Sequence, residues 1–233
     1  MSPAHHPDPS TLLAYSAGAL ATAFAAVVRA HLDACPRCRA AIRAADGIGG
    51  HLLELQEGAV LATDARQSLR QRLEAEGRIG PVARSGAVPG PGSANAAAPP
   101  PHDEASADAL PPSLRRYFGQ RYADLRWRMI GPGIHYLRAE GVDDGHLMLL
   151  RTAPGRSVPM HTHGGNELTL ILKGAYQDVL GHFAPGDVAD LDSEVEHQPV
   201  TLPGVPCICV AATDAPLRFS GWMARMLQPL FKL

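Results

Sequence analysis

Gly155-Arg-Ser-Val-Pro-Met-His161-Thr-His163-Gly-Gly-Asn-Glu167-Leu-Thr-Leu-Ile-Leu-Lys-Gly174 is the stretch on which the reading of the C-terminal half turns. In an extended strand residues i and i+2 face the same way, so the imidazoles of His161 and His163 share one side. Gly164-Gly165-Asn166 has turn composition. Glu167 follows it at the head of an apolar run and is placed to return to the same ion. A fourth ligand is expected from a distant strand, and His197, beyond the Pro185-Gly186-Asp187 turn, suits that role. Three imidazoles and one carboxylate accept zinc, iron, manganese or nickel, so the expected ion is zinc or another divalent transition metal.

The spacing from Gly155 to Gly174 resembles the first motif of the cupin fold at every position. That resemblance implies a β-barrel (jelly roll) with the metal ligands inside it. Runs at Gly145–Arg151, Glu167–Lys173, Val179–Phe183 and Cys207–Ala211, separated by Gly/Pro turns, independently predict an all-β region over 113–233. The second cupin motif is eroded. Pro185-Gly186-Asp187 and His197 stand where the family has them, but Asp192-Ser193-Glu194 replaces a Pro-x-Gly and Thr201 replaces an Asn. The departure argues against catalysis more than against metal binding, and a barrel keeping stray histidines after losing its metal is the bland alternative.

Toward the N-terminus, His31-Leu-Asp-Ala-Cys35-Pro-Arg-Cys38 has the form His-x3-Cys-x2-Cys. Two thiolates three residues apart fit a tight turn around tetrahedral zinc, and His31 shares a helical face with Cys35. The fourth ligand must come from elsewhere. His5 and His6 precede the first helix, and His6, closer to it, is preferred. Redox dithiols share Cys-x-x-Cys, but a strand should precede them and here a helix does. A pair of buried thiols beside a surface histidine is the alternative. His6…Leu12-Leu13-Ala14-Tyr15…Gly18…His31-x3-Cys35-x2-Cys38 resembles the zinc-binding anti-sigma domain, a small helical bundle that clasps an extracytoplasmic-function (ECF) sigma factor.

Residues 1–80 read as helical: Leu12, Leu13, Leu20, Phe24, Val27 and Val28 recur at helical spacing, with a break expected at Gly18. Further helices are predicted over about Arg37–Gln56 and Thr63–Glu76. Residues 81–112 are rich in Pro, Gly and Ala and read as a flexible linker. The expected organisation is therefore multidomain α plus β, with a zinc-bearing helical domain at 1–80, a linker at 81–112 and a barrel at 113–233.

Twenty-one basic against 23 acidic residues leave a net charge of −2, without the basic excess that direct nucleic-acid binding requires. The uncharged stretch Ser10–Val28 is Ala-rich, holds few Leu or Ile and has no Lys or Arg before it, so neither a membrane span nor a signal peptide is expected. Two close cysteine pairs fit reduced thiols in a cytoplasmic chain better than a disulfide framework. Cys207 and Cys209 read as small hydrophobes on one strand face, with a redox role as the alternative. Glu194 and Glu196 flank His197 as solvated turn acids or supports for it. His135, His146 and His182 read as structural or surface residues, and Trp127 and Trp222 as core or inter-domain anchors.

Zinc anti-sigma domain, linker and cupin in this order resemble the ChrR-type anti-sigma factors. The resemblance also takes in the Trp222–Leu230 tail. It implies a 1:1 complex with an ECF sigma factor, released in response to singlet oxygen or related peroxides. No catalytic residue is expected on this reading. The rival is a cupin metalloenzyme, a dioxygenase or isomerase, with the helical region as an accessory; a third possibility is a barrel that binds a small ligand without chemistry.

Overall fold

The computed structural model describes residues 2–76 and 108–215 and the backbone of 217–219. Most of the expected linker (81–107), Trp222 and the Trp222–Leu230 tail lie outside the described residues.

Helix α1 (Pro9–Ser16) starts where Asp8 accepts a hydrogen bond from Ser10 N at 2.8 Å and proline occupies the first turn. It ends before Gly18, whose φ of 68° is the left-handed conformation that stops a helix without a Cβ clash. Helix α2 (Thr22–Ala34) is fastened by Asp144, which accepts from Thr22 N at 2.8 Å. Pro36 forces Cys35 out of the helical region (φ −107°, ψ 103°), and α3 (Pro36–Glu54) restarts at once. Glycines 47, 49 and 50 lie inside α3, and a Cβ at any of them would meet nothing within 4 Å. Helix α4 (Ala65–Ala75) follows.

After a 3-10 turn at Pro112–Leu114 and the single-turn α5 (Arg115–Phe118), the chain becomes sheet. The strands are β1 (Arg128–Gly131), β2 (Ile134–Arg138), β3 (His146–Thr152), β4 (His161–His163), β5 (Glu167–Lys173) and β6 (Tyr176–Asp178). They continue as β7 (Gly181–Phe183), β8 (Val188–Leu191), β9 (Val200–Thr201), β10 (Cys207–Thr213) and β11 (Leu217–Phe219). All pairings are antiparallel. A six-stranded sheet runs β1-β2-β3-β10-β5-β8, a three-stranded one β7-β6-β9, and β11 pairs with β4. Gly174 closes β5 at φ 67°, where a Cβ would sit 2.6 Å from Pro206 O, so only glycine fits the turn that ends the cupin-like stretch.

Period-2 alternation divides strands β5, β8 and β10 between two cores, while β3 faces the first. Leu147, Leu149, Leu168, Leu170, Val210 and Ala212 join one core with Ala23, Phe24, Val27 and Val28 of α2. Ile171 and Cys207 join Tyr176, Phe183, Ala189 and Leu191 in the other. Helix α2 thus packs on β10, β5 and β3. Burial of each large apolar side chain there contributes roughly 1.5–3 kcal/mol.

Three features differ from the sequence expectation. Among the described residues, the helices up to His51 and the barrel share one compact unit, while residues 52–76 belong to a second. Residues 108–112, expected as linker, are folded: Leu110 is buried and its N–H donates to Gln120 O at 2.9 Å. In place of one strand over Val179–Phe183 there is a hairpin turn, with Leu180 N donating to Asp178 Oδ1 and β6 and β7 on either side. Among the described residues no helix is long and apolar enough to cross a membrane.

Candidate functional site

The break at Cys35-Pro36 builds the first cluster. His31 lies in the last turn of α2, Cys35 caps that helix, and Cys38 sits in the first turn of α3. His6 arrives from the tail before α1. Its Nδ1 is 3.4 Å from both Cys35 Sγ and Cys38 Sγ, and His31 Nε2 is 3.2 Å from Cys38 Sγ. The four donor atoms lie within 4.8 Å of one another, with His31, Cys35 and Cys38 buried. Donors bound to tetrahedral zinc at its usual bond lengths are about 3.3–3.8 Å apart, so the group is already near the size that the ion requires. His5 is elsewhere: its ring stacks on Phe183 with centroids 4.3 Å apart.

The protonation chemistry also fits a cation. Gly186 O can only accept, so His31 Nδ1 donates to it at 2.8 Å and Nε2 presents a lone pair to Cys38. Burial lowers the pKa of His31 and, foremost among several causes, that of His6, which favours neutral rings. Burial and the Cys35 sulfur push the Cys38 thiol up to about 12. A metal ion is what would turn such thiols into thiolates and offset their desolvation.

The second cluster lies inside the barrel. Strand β4 points His161 and His163 inward, and His161 and His197 exchange backbone hydrogen bonds of 3.1 and 3.0 Å, which sets His197 beside them. The three rings offer one nitrogen each within 4.8 Å, and all three residues are buried. His161 Nδ1 donates to Pro159 O at 2.7 Å and His197 Nδ1 to the Asp178 carboxylate at 3.0 Å, which leaves Nε2 of each as a lone pair. His163 Nε2 faces His197 Nε2 at 3.2 Å. Burial pushes His161 and His163 down to about 4, so these rings are neutral with one N–H each. With that proton on Nε2, His163 donates across the 3.2 Å gap; with it on Nδ1, beside Glu167, its Nε2 presents a lone pair to the same point as the other two rings. The cluster therefore fits a metal held through Nε2 atoms.

Glu167 does not join that trio. One carboxylate oxygen accepts from Thr169 Oγ1 at 2.8 Å, and the other lies 3.1 Å from His163 Nδ1. The latter contact is close but misaligned, since His163 Nδ1 makes no hydrogen bond. The carboxylate sits beside the ring it was expected to complement rather than across the site from it.

Residues 117–215 match the family described as the ChrR cupin-like domain. Over 229 residues the chain is 36% identical to the anti-sigma-E factor ChrR of Cereibacter sphaeroides, an alignment covering 98% of each protein. The chain belongs to the ChrR family of anti-sigma factors. The crystal structure of Rhodobacter sphaeroides SigE in complex with the anti-sigma ChrR matches it with a TM-score of 0.71 at 34% identity, covering 90% of this chain and 98% of that one.

Within this ChrR-family chain the sequence reading missed Asp178, whose side chain is wholly buried against His197. It missed Thr169 on Glu167 as well, and Asp187, which binds the N-terminal tail. Asp178 carried one legible signal, an acid within a strand-like run that must find a partner if buried. Glu194 and Glu196 are exposed, and Cys207 is a buried thiol pushed up to about 12 by desolvation. Trp127 packs partly buried against the main core.

Proposed function

We propose that this protein is an anti-sigma factor that holds an ECF sigma factor inactive in a 1:1 complex and releases it when singlet oxygen or related peroxides act on the barrel. The observation that supports this most is the 36% identity to anti-sigma-E factor ChrR across 98% of both chains, which takes in the helical region and the barrel together. That relative is an anti-sigma factor and not an enzyme, and on this reading the metalloenzyme alternative gives way. Such a protein works where transcription occurs, which makes it cytoplasmic.

The surface supports a protein partner. Leu52 and Leu53 at the end of α3 and Leu55 just beyond it are exposed. Large apolar side chains clustered along one helix on the surface mark an interaction site. The organisation that goes with this reading is a sigma-binding helical region within residues 1–80 and a sensing barrel over 113–233, to which the folded residues 108–112 belong.

On this reading His6, His31, Cys35 and Cys38 hold zinc, which locks the α2–α3 elbow and so fixes the direction of the partner-binding helix. His161, His163 and His197 hold zinc or another divalent transition metal in the barrel, with Glu167 as a fourth ligand once its carboxylate turns inward. His161 and His197 are held by Pro159 O and Asp178, which orient their rings toward a common point. Co-expression with the sigma factor encoded nearest to its gene tests the reading. The wild-type chain should co-purify with the sigma factor at 1:1, and Leu52→Asp/Leu53→Asp should abolish the complex with metal content unchanged. A wild-type chain that captures no sigma factor would sink it.

A further inference from the structure

The N-terminal cluster is not built by the helices alone. His31 turns its second ring nitrogen onto a barrel carbonyl, donating from Nδ1 to Gly186 O at 2.8 Å. The next residue of the same turn, Asp187, is buried and accepts from Ala4 N at 2.6 Å and His5 N at 3.0 Å through one oxygen. Its other oxygen accepts from Ala184 N at 2.8 Å. Val188 N then donates to His5 O at 3.2 Å, so the backbone immediately before His6 is pinned from both sides. Gly186 permits the approach: at φ 96°, a Cβ there would lie 3.0 Å from Pro3 Cγ. Of the four donors, Cys35, Cys38 and the backbone of His31 are placed by α2 and the elbow to α3, while the turn between β7 and β8 orients the His31 ring and holds the backbone that leads into His6.

That turn is also joined to the histidine trio. His5 stacks on Phe183 of β7, and Phe183 stacks on Tyr176 of β6 with centroids 4.9 Å apart. Asp178, on the same face of β6 two residues later, accepts from His197 Nδ1.

We propose that the Pro185–Asp187 turn forms the outer shell of the N-terminal metal group, so that the state of the barrel sets how firmly that group holds its ion. The inference rests on the metal reading given above. A carbonyl acceptor on His31 Nδ1 fixes the tautomer and ring angle and makes Nε2 a better donor, and losing such a partner costs about 10–100-fold in metal retention. Gly186 and Asp187 are thus positioning residues, acting on the ion through His31 and His6.

The test uses the full-length chain loaded with Co²⁺. Thiolate-to-cobalt charge-transfer absorption reports the Cys35/Cys38 group, since a cluster of imidazoles has no sulfur to give it. Release into excess EDTA is then timed. Asp187→Asn, which cannot accept all three N–H groups, should speed release about tenfold. Ala4→Pro, which removes one donor without altering the barrel, should act in the same direction and covers the case in which the first variant misfolds. Asp190→Ala is the control, because Asp190 also ties the tail to the barrel, through Asp8 N and Thr11 Oγ1, yet does not touch the turn; it should release at the wild-type rate. His161→Ala/His163→Ala should shift the release rate in the wild-type turn and not in Asp187→Asn. No charge-transfer band in the wild type would overturn the metal reading and this inference with it. A normal band with unchanged release in both turn variants would overturn the inference alone, as would equal acceleration by Asp190→Ala.

Discussion

The two donor clusters differ in how they are closed. The N-terminal one combines two imidazoles and two thiols from three local segments, and its four donor atoms are mutually close. The barrel cluster has three imidazoles, and its carboxylate stands aside, hydrogen-bonded to Thr169. Closed N/S sets are the pattern of ions that hold a fold, whereas sets with a vacant direction leave room for an exogenous molecule. On the proposed reading the first cluster would hold the fold and the second would be the one open to an exogenous molecule, and the chemistry of the donors, not their number alone, separates the two.

The largest effect expected from breaking the contrast is at the closed site. Cys35→Ser with Cys38→Ser should remove its ion and the sigma-binding activity together. Zinc binding to small folded sites is worth about 10–16 kcal/mol, more than such a helical elbow can lose. Metal analysis and sigma co-purification measure this; a chain lacking Cys35 and Cys38 that still captures the sigma factor would make the site dispensable. Next comes His161→Ala with His163→Ala, which should empty the barrel and silence the response to singlet oxygen while sigma binding persists. Induction of sigma-dependent transcription at the wild-type level in that variant would defeat the sensing role.

A smaller pair of changes sharpens the question of closure. Asp178→Asn, next to His197, should weaken the barrel's hold on its metal by about 10–100-fold. Glu167→Gln should do less if the site works with three imidazoles, and at least as much if the carboxylate swings in as a ligand. Competition with a chromophoric chelator ranks the two.

The barrel was legible where chemistry is local. Strand β5 begins and ends at the residues that the apolar run between Asn166 and Gly174 marks out, and Gly18 divides the first two helices as its backbone freedom suggests. His6, His31, Cys35 and Cys38 were named because three of them fall within eight residues. What escaped the sequence was set by distant partners. The Asp187 carboxylate acts on residues 182 and 183 positions away, and nothing around it announces that. Asp178 lies just ahead of the run read as one strand over Val179–Phe183, at the end of a three-residue strand that the hairpin turn closes, so its partner His197 is not announced locally. Leu110 was assigned to the linker on composition, yet it is buried in a core assembled from both halves of the chain. The placement of Glu167 depends on Thr169, a residue two positions away that has no typed role in the motif.

Helix α3 is unusually rich in glycine, with three among its 19 residues. Its glycines at 47, 49 and 50 each weaken a helix by about 1 kcal/mol relative to alanine, and none is required by a neighbour. Gly49→Ala should accordingly raise thermal stability slightly, by about 0.5–1 kcal/mol, read from the helical signal on melting. The natural sequence leaves a soft midpoint just before its exposed leucines. A protease needs unwound backbone, and this is where the helix opens at least cost. A partner lying along α3 would shield that midpoint, so the lifetime of the inhibitor would be tied to whether it is occupied.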